Sequence, residues 1–238
     1  MKFYYDFHIH SALSPCADDD MTPSNIVNMA MIKELDIIAI ADHNSIYNIP
    51  AALKTGEETG VIVVPGMEME TREEVHILCL FHSYSDIQAF YEEFSSYLNG
   101  LKNRKDIFGS QYIFDEYDNI VGEEERMLSG ATTISLKNAV KLVEKYNGIA
   151  IPAHIDKPSY SIISNLFGIP EELGITAVEI KNKEKIMELK KEHPIINSMN
   201  FIHNSDAHNL GLISEKENCI ELSELSIEEL IKQLKNKN

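Results

Sequence analysis

Two rhythms of hydrophobic spacing replace each other along this chain. Residues 3–10 (FYYDFHIH) read as a strand. Thr22-Pro23 then opens a helix with an N-cap and a first-turn proline, and Ile26, Val27, Ala30 and Met31 share one face of it. Residues 36–41 (DIIAIA) are nearly all apolar, as in a strand buried within a parallel sheet. A helix over about 50–59 follows, then VIVVPGME and EEVHILCLF as the third and fourth strands. Residues 85–99 form a helix with Ile87, Phe90, Tyr91 and Phe94 inward.

Residues 100–134 break the rhythm, with DEYDN, GEEER and Gly109 marking an irregular or hairpin-containing insert. Alternation resumes with a helix capped by Ser135 and running to about Tyr146, then a strand in GIAIPAHI. TAVEIKN and NFIHNSDAH give two more strands, separated by a helix near 184–192. ENCIEL is a last strand, and SIEELIKQLKNK, over 226–237, a terminal amphipathic helix capped by Ser226. No internal repeat or low-complexity linker interrupts the 238 residues, so one domain over 1–238 is expected. Seven or so β/α alternations predict an α/β barrel or a doubly wound sheet; periodicity does not choose between them.

Composition is ordinary for a globular chain, 44% hydrophobic and 25% charged. The 38 acidic residues outnumber the 21 basic ones, for a formal net charge of −17. That balance argues against an extended nucleic-acid surface, which is basic. It leaves room for a small cationic pocket inside an acidic shell. Three cysteines (Cys16, Cys79, Cys219) show no CxxC spacing, so neither a disulfide framework nor a thiolate zinc site is expected. The start, MKFYYDFHIH, lacks the apolar stretch of a signal peptide, and no run approaches the roughly 20 apolar residues of a membrane span. The expected location is cytoplasmic, with no membrane partner.

Nine histidines change the picture, because most stand at or just beyond the carboxyl ends of predicted strands. In α/β folds that edge carries the chemistry. His8 and His10 are two apart on a strand and point to one face, with Phe7 and Ile9 on the other, packing outward on helices. Asp206 and His208 repeat the spacing at the end of another strand, DHN places His43 after the second, and Glu68 follows the third. Each has a plain structural reading: His43 as a helix cap, His76 as a core histidine, His154 as a turn residue, Glu68 as one half of an ion pair. All of them together would leave several buried histidines without partners, which is costly, so a metal site is the better reading. His193 reads as a loop histidine, and His203 has the wrong strand parity for the cluster. His82 shares the side of His76 only if its strand stays regular.

The ordered motifs D-F-H-I-H-S, A-D-H-N, P-G-M-E, E-V-H-I-L, P-A-H-I and N-S-D-A-H resemble the polymerase-and-histidinol-phosphatase (PHP) family of metal-dependent phosphoesterases, over about residues 1–82 and 148–210. The resemblance implies a distorted (β/α)7 TIM-like barrel with two to three divalent ions. It assigns His8, His10, Glu68 and Asp206 to one ion, and Glu68, His76 and His154 to a second. A third falls to His43, His208 and an aspartate of the first loop. Relatives commonly show S-D-G there, whereas this chain has Ser14-Pro15-Cys16-Ala17-Asp18-Asp19-Asp20; Asp18 keeps the spacing to Pro23 and is favoured, with Asp20 as the alternative. Mixed His and carboxylate ligation suits manganese, iron or zinc.

Two such ions activate a bridging water, here held between the ligands Glu68 and Asp206, and clamp phosphoryl oxygens. For substrate phosphate, Lys157 stands three residues after His154, where some relatives carry an arginine. Arg104 and Arg126, in the insert, are candidates for a lid. The resemblance therefore points to a phosphoesterase acting on a small phosphorylated substrate, a nucleotide-type monoester or bisphosphate. Histidinol-phosphate phosphatase is the alternative enzyme. A non-catalytic metal-binding or polymerase-associated module is the alternative class, disfavoured because the ligand positions are filled. An amidohydrolase shares the HxH opening but would usually want a lysine near the fourth strand, where EVHILCLF offers a histidine.

Overall fold

The computed structural model describes residues 1–236. The terminal helix expected over 226–237 spans Ile227–Lys235, and position 237 lies outside the described residues. Strands β1 (Lys2–Ile9), β2 (Ile37–Ile40) and β3 (Ile62–Glu70) run parallel, joined through helices α1 (Pro23–Ile32) and α2 (Ile49–Thr59). Thr22 caps α1 by accepting from the Asn25 N–H, as its sequence position predicts, a contact worth about 1 kcal/mol. Ile26, Val27 and Ala30 are buried on that helix. Met31, expected beside them, is exposed, because it falls outside the arc that faces the sheet.

The fourth strand departs from simple β/α alternation. β4 (His76–Leu80) pairs antiparallel with β3, Glu70 opposite His76, because only five residues separate the two strands. A parallel crossover needs a dozen or more. After α3 (Tyr84–Phe94) comes the insert, with a helical turn α4 (Lys105–Phe108) and a hairpin of β5 (Tyr112–Phe114) and β6 (Ile120–Glu123). Helix α5 (Leu136–Lys145) leads to β7 (Ile149–Pro152), which is antiparallel to β4 and so restores the direction of β1. After α6 (Ile162–Leu166) and β8 (Ala177–Glu179), α7 (Ile186–Glu192) returns the chain to β9 (Asn200–Ile202), which is parallel to β8. A bridge between Ile9 and Ala207 brings the segment after β9 back beside β1. The curled sheet is a distorted TIM-like barrel, with β10 (Cys219–Glu221) antiparallel on the early part of β1 and α8 (Ile227–Lys235) last.

Inward-facing residues of successive strands, including Phe7, Ala39, Val64, Leu78, Ile151 and Ala177, form one apolar layer, closed by Leu230, Ile231 and Leu234 of α8. Phe7 was expected outside with Ile9. A bulge between Asp6 and Ile9 resets the alternation. Phe7 thus joins the interior, His8 and His10 continue inward beyond it, and Ile9 packs outward against Ile26 and Val27 of α1. No helix among the described residues is long and apolar enough to cross a membrane.

Candidate metal centre

The cluster sits at the barrel end formed by the carboxyl termini of β1, β3, β7 and β8 and, because β4 is reversed, by its amino terminus. His76 thus enters the cluster from the start of its strand, and His82, beyond the other end of β4, stands away from it. His8 and His10 are fully buried, with their Nε2 atoms 3.2 Å apart. Two nitrogens sharing an ion at about 2.1 Å in a tetrahedral array stand about 3.4 Å apart.

The outer nitrogens of these rings are held as donors. His8 Nδ1 lies 3.0 Å from both oxygens of Glu179, which can only accept. His10 Nδ1 lies 3.1 Å from Ser14 Oγ, whose own proton goes to Asp42 Oδ1 at 2.7 Å. His10 Nδ1 therefore carries the proton, and its Nε2 lone pair faces the cluster. Carboxylate and hydroxyl partners that fix the imidazole in this way are the usual outer support of metal-ligating histidines.

Glu68, 1% exposed, is the hub. His76 Nδ1, His154 Nε2 and His8 Nε2 lie 2.8, 3.2 and 3.3 Å from its Oε1. His43 Nδ1 and His10 Nε2 lie 3.0 and 3.6 Å from its Oε2. Burial alone would push the Glu68 carboxyl up, but His76, His8 and His43 hold it well below the usual carboxylate range. Burial works against protonated His8 and His43, yet the carboxylates around them raise both imidazoles above their ordinary value. A pocket that draws protons this way draws divalent cations in competition with them. His154 and Asp206 both take positive φ, 30° and 52°, strain of the kind that concentrates at functional sites.

Asp206 Oδ1 approaches His10 Nε2 at 3.4 Å and His8 Nε2 at 3.7 Å, while its Oδ2 pairs with Lys157 Nζ at 2.5 Å. β9 ends at Ile202, so Asp206 and His208 reach the centre from a loop rather than from the strand expected. His208 Nδ1 lies 3.0 Å from the Asp206 carbonyl, and its ring stacks on His10 with centroids 4.3 Å apart. Three sets of donor atoms each converge within 4.8 Å: His8, His10 and Glu68; His43, Glu68 and His76; and His10, His43 and His208.

The structure thus brings together His8, His10, His43, Glu68, His76, His154, Asp206, His208 and Lys157, but neither Asp18 nor Asp20. Both are exposed and line an outer cleft with Pro15, Ala17, Gly109 and Ser110. The cause is a turn at Ser14–Ala17, closed by the Ala17 N–H to Ser14 O bond of 2.9 Å, after which the Asp18 N–H donates to His208 O at 2.8 Å. Arg104 pairs with Asp106, and Arg126 with Glu124 and the Tyr47 hydroxyl. His203 Nδ1 bonds the Ile180 carbonyl and His193 ends α7. Sequence reasoning missed Glu179, Asp42 and the bonds of Ser14; a glutamate inside the apolar run TAVEI was the one signal available for Glu179.

The PHP domain pattern matches residues 6–233. The chain belongs to the PHP-domain family. This PHP domain is 32% identical over 79 residues to a 5′-3′ exoribonuclease of Haemophilus influenzae, a match covering 32% of this chain and 28% of that protein. It spans less than a third of the curated relatives' length. In fold it resembles the lesion-specific endonuclease Q of Pyrococcus furiosus, with TM-score 0.71 and 20% identity over 99% of this chain and 56% of that one. Endonuclease Q has also been solved with a 27-mer duplex carrying an abasic lesion at its active site (TM-score 0.68, 19% identity, 99% and 57% covered). A protein of Bifidobacterium adolescentis, described as a metal-dependent phosphoesterase, matches with TM-score 0.63 and 16% identity over 98% and 96%.

These relatives correct one expectation. A small phosphorylated partner was expected from the resemblance and no extended nucleic-acid surface from the net charge, yet the similar proteins include nucleases. Net charge failed because it is a sum over the chain. Exposed Lys181, Lys183 and Lys185 follow β8, and Lys185 Nζ bonds the carbonyl of Asp156, the neighbour of Lys157 after β7. The family's metal-dependent hydrolase chemistry matches the donor cluster found here.

Proposed function

We propose that this PHP domain hydrolyses phosphate esters of nucleic acid, using two to three divalent ions of manganese, iron or zinc. The observation that carries the reading is the convergence of His8, His10, Glu68 and Asp206 beside Lys157. Bound divalent ions would polarise the phosphoryl oxygens and activate the attacking water. The protein's own groups do the rest. Glu179 and the Ser14–Asp42 pair hold His8 and His10 in the ligating tautomer. Lys157, about two-fifths exposed, turns from Asp206 to a phosphoryl oxygen while its charge stays at the mouth. Lys181, bonded to the Ser205 carbonyl, and Lys185, bonded to the Asp156 carbonyl, add positive charge beside Asp206 and Lys157 for a phosphodiester backbone. Three cysteines outside any disulfide fit a reducing, cytoplasmic setting.

The test is incubation of metal-stripped and metal-reloaded protein with 5′-labelled RNA, DNA and abasic duplex, beside a panel of phosphomonoesters. Metal-dependent shortening of a nucleic acid, lost in Glu68→Gln, is expected. Turnover confined to phosphomonoesters, or no metal-dependent cleavage of any substrate, would overturn the reading.

A further inference from the structure

The loop between β7 and α6 brings three kinds of group to the cluster. His154 approaches Glu68, Lys157 pairs with Asp206, and Tyr160 lays its ring against that of His76, with centroids 4.9 Å apart and planes 31° from parallel. The loop is fixed at three points. Lys157 N–H donates to His154 O, Ser161 Oγ donates to Lys157 O, and His76 N–H donates to Tyr160 O, each at 2.9 Å. The last bond ties Tyr160 to the first residue of β4.

Tyr160 is not a core residue, since it is 47% exposed. Its backbone sits at φ 55°, in the left-handed region that a bulky residue keeps only where its surroundings hold it there. Burial of apolar surface does not account for a large ring kept half in water on a strained backbone. His76 covers one side of that ring, and the exposed side is open to a ligand.

We propose that Tyr160 is a stacking platform for a nucleobase, positioning the nucleotide whose phosphate enters the cluster. Every base has a π-face, so the contact adds affinity without choosing a sequence. Lys157, three residues earlier in the same loop, meets the phosphate of that strand. The strand is single or locally unstacked at the cluster, because a base within a duplex keeps both faces covered by its neighbours. The inference rests on the reading that the domain cleaves nucleic acid, and its test separates the two.

The chain has no tryptophan, so Tyr160→Trp places a sole fluorescent reporter on the loop. Zinc-loaded protein is titrated with oligothymidylate carrying phosphorothioate linkages, and with an abasic oligomer of the same backbone and length. The base-bearing strand is expected to quench the tryptophan and the abasic strand to leave it unchanged. Wild-type protein should bind the base-bearing strand about tenfold more tightly than the abasic one, the effect of one stacked base. Tyr160→Phe should keep that preference and Tyr160→Ala should lose it, both with wild-type metal content and wild-type affinity for the abasic strand. Equal quenching by the two strands, or a preference that survives in Tyr160→Ala, would overturn the role of Tyr160 and leave metal-dependent cleavage of nucleic acid standing. Loss of bound metal in Tyr160→Ala would make the ring a support for His76 and overturn the role as well. Binding of neither strand by folded, zinc-loaded wild type would overturn this inference and the nucleic-acid reading together.

Discussion

Glu179 holds His8 Nδ1 at 3.0 Å from each of its oxygens and accepts the His154 backbone N–H at 2.9 Å as well. One buried carboxylate thus orients one ligand through its side chain and another through its main chain. Glu179→Gln is expected to weaken metal binding about 10–100-fold, the usual effect of removing an outer partner of a ligating histidine. Competition with a chromophoric chelator reads this directly. Unchanged affinity would mean that His8 is oriented by something else.

Ser14 accepts from His10 Nδ1 and the His43 backbone while donating to Asp42. Ser14→Ala leaves buried donors unpaired at no gain in packing. Urea unfolding of the metal-free variant should show a loss of about 1–3 kcal/mol. A midpoint equal to that of the wild type would show that these groups find other partners.

Much of this site was legible in the chain because strand geometry makes it so. His8 and His10, two apart on a strand, share a face, and DHN follows, while PGME lies within, strands that the apolar runs mark plainly. The bulge that sent Phe7 inward left no trace in the hydrophobic pattern, since residues 5–9 are buried on both faces. The direction of β4 was also hidden by an apolar run that reads the same both ways, although the five-residue link before it carried the answer. Glu179 and Asp42 act through other ligands, and such outer partners have no fixed spacing from the residues they support. Net charge is a sum over the chain and does not locate the lysines that follow β7 and β8.

Gly109 locks the insert against the first loop. Its φ is 95°, and a Cβ there would stand 2.6 Å from the Pro15 carbonyl oxygen. Gly109→Ala should cost about 1–3 kcal/mol of stability through backbone strain and this clash. Faster amide hydrogen exchange in residues 14–18 should accompany it. Normal exchange there, with stability retained, would show that the insert does not brace the loop.

Lys157 supplies charge to Asp206 in a site that also needs a cation for substrate phosphate. Lys157→Met should raise KM for the cleaved nucleic acid about tenfold, the value of one charged hydrogen bond. Metal content should stay that of the wild type. A loss of bound metal instead would make Lys157 a support for Asp206 rather than a substrate contact.

The central claim is that divalent ions gather around Glu68. Anomalous diffraction from crystals soaked in manganese or zinc tests it most directly. The account predicts at least two peaks, one among His8, His10, Glu68 and Asp206 and one bordered by Glu68, His76 and His154. An absence of peaks within that cluster, with metal bound only elsewhere on the protein, would contradict it.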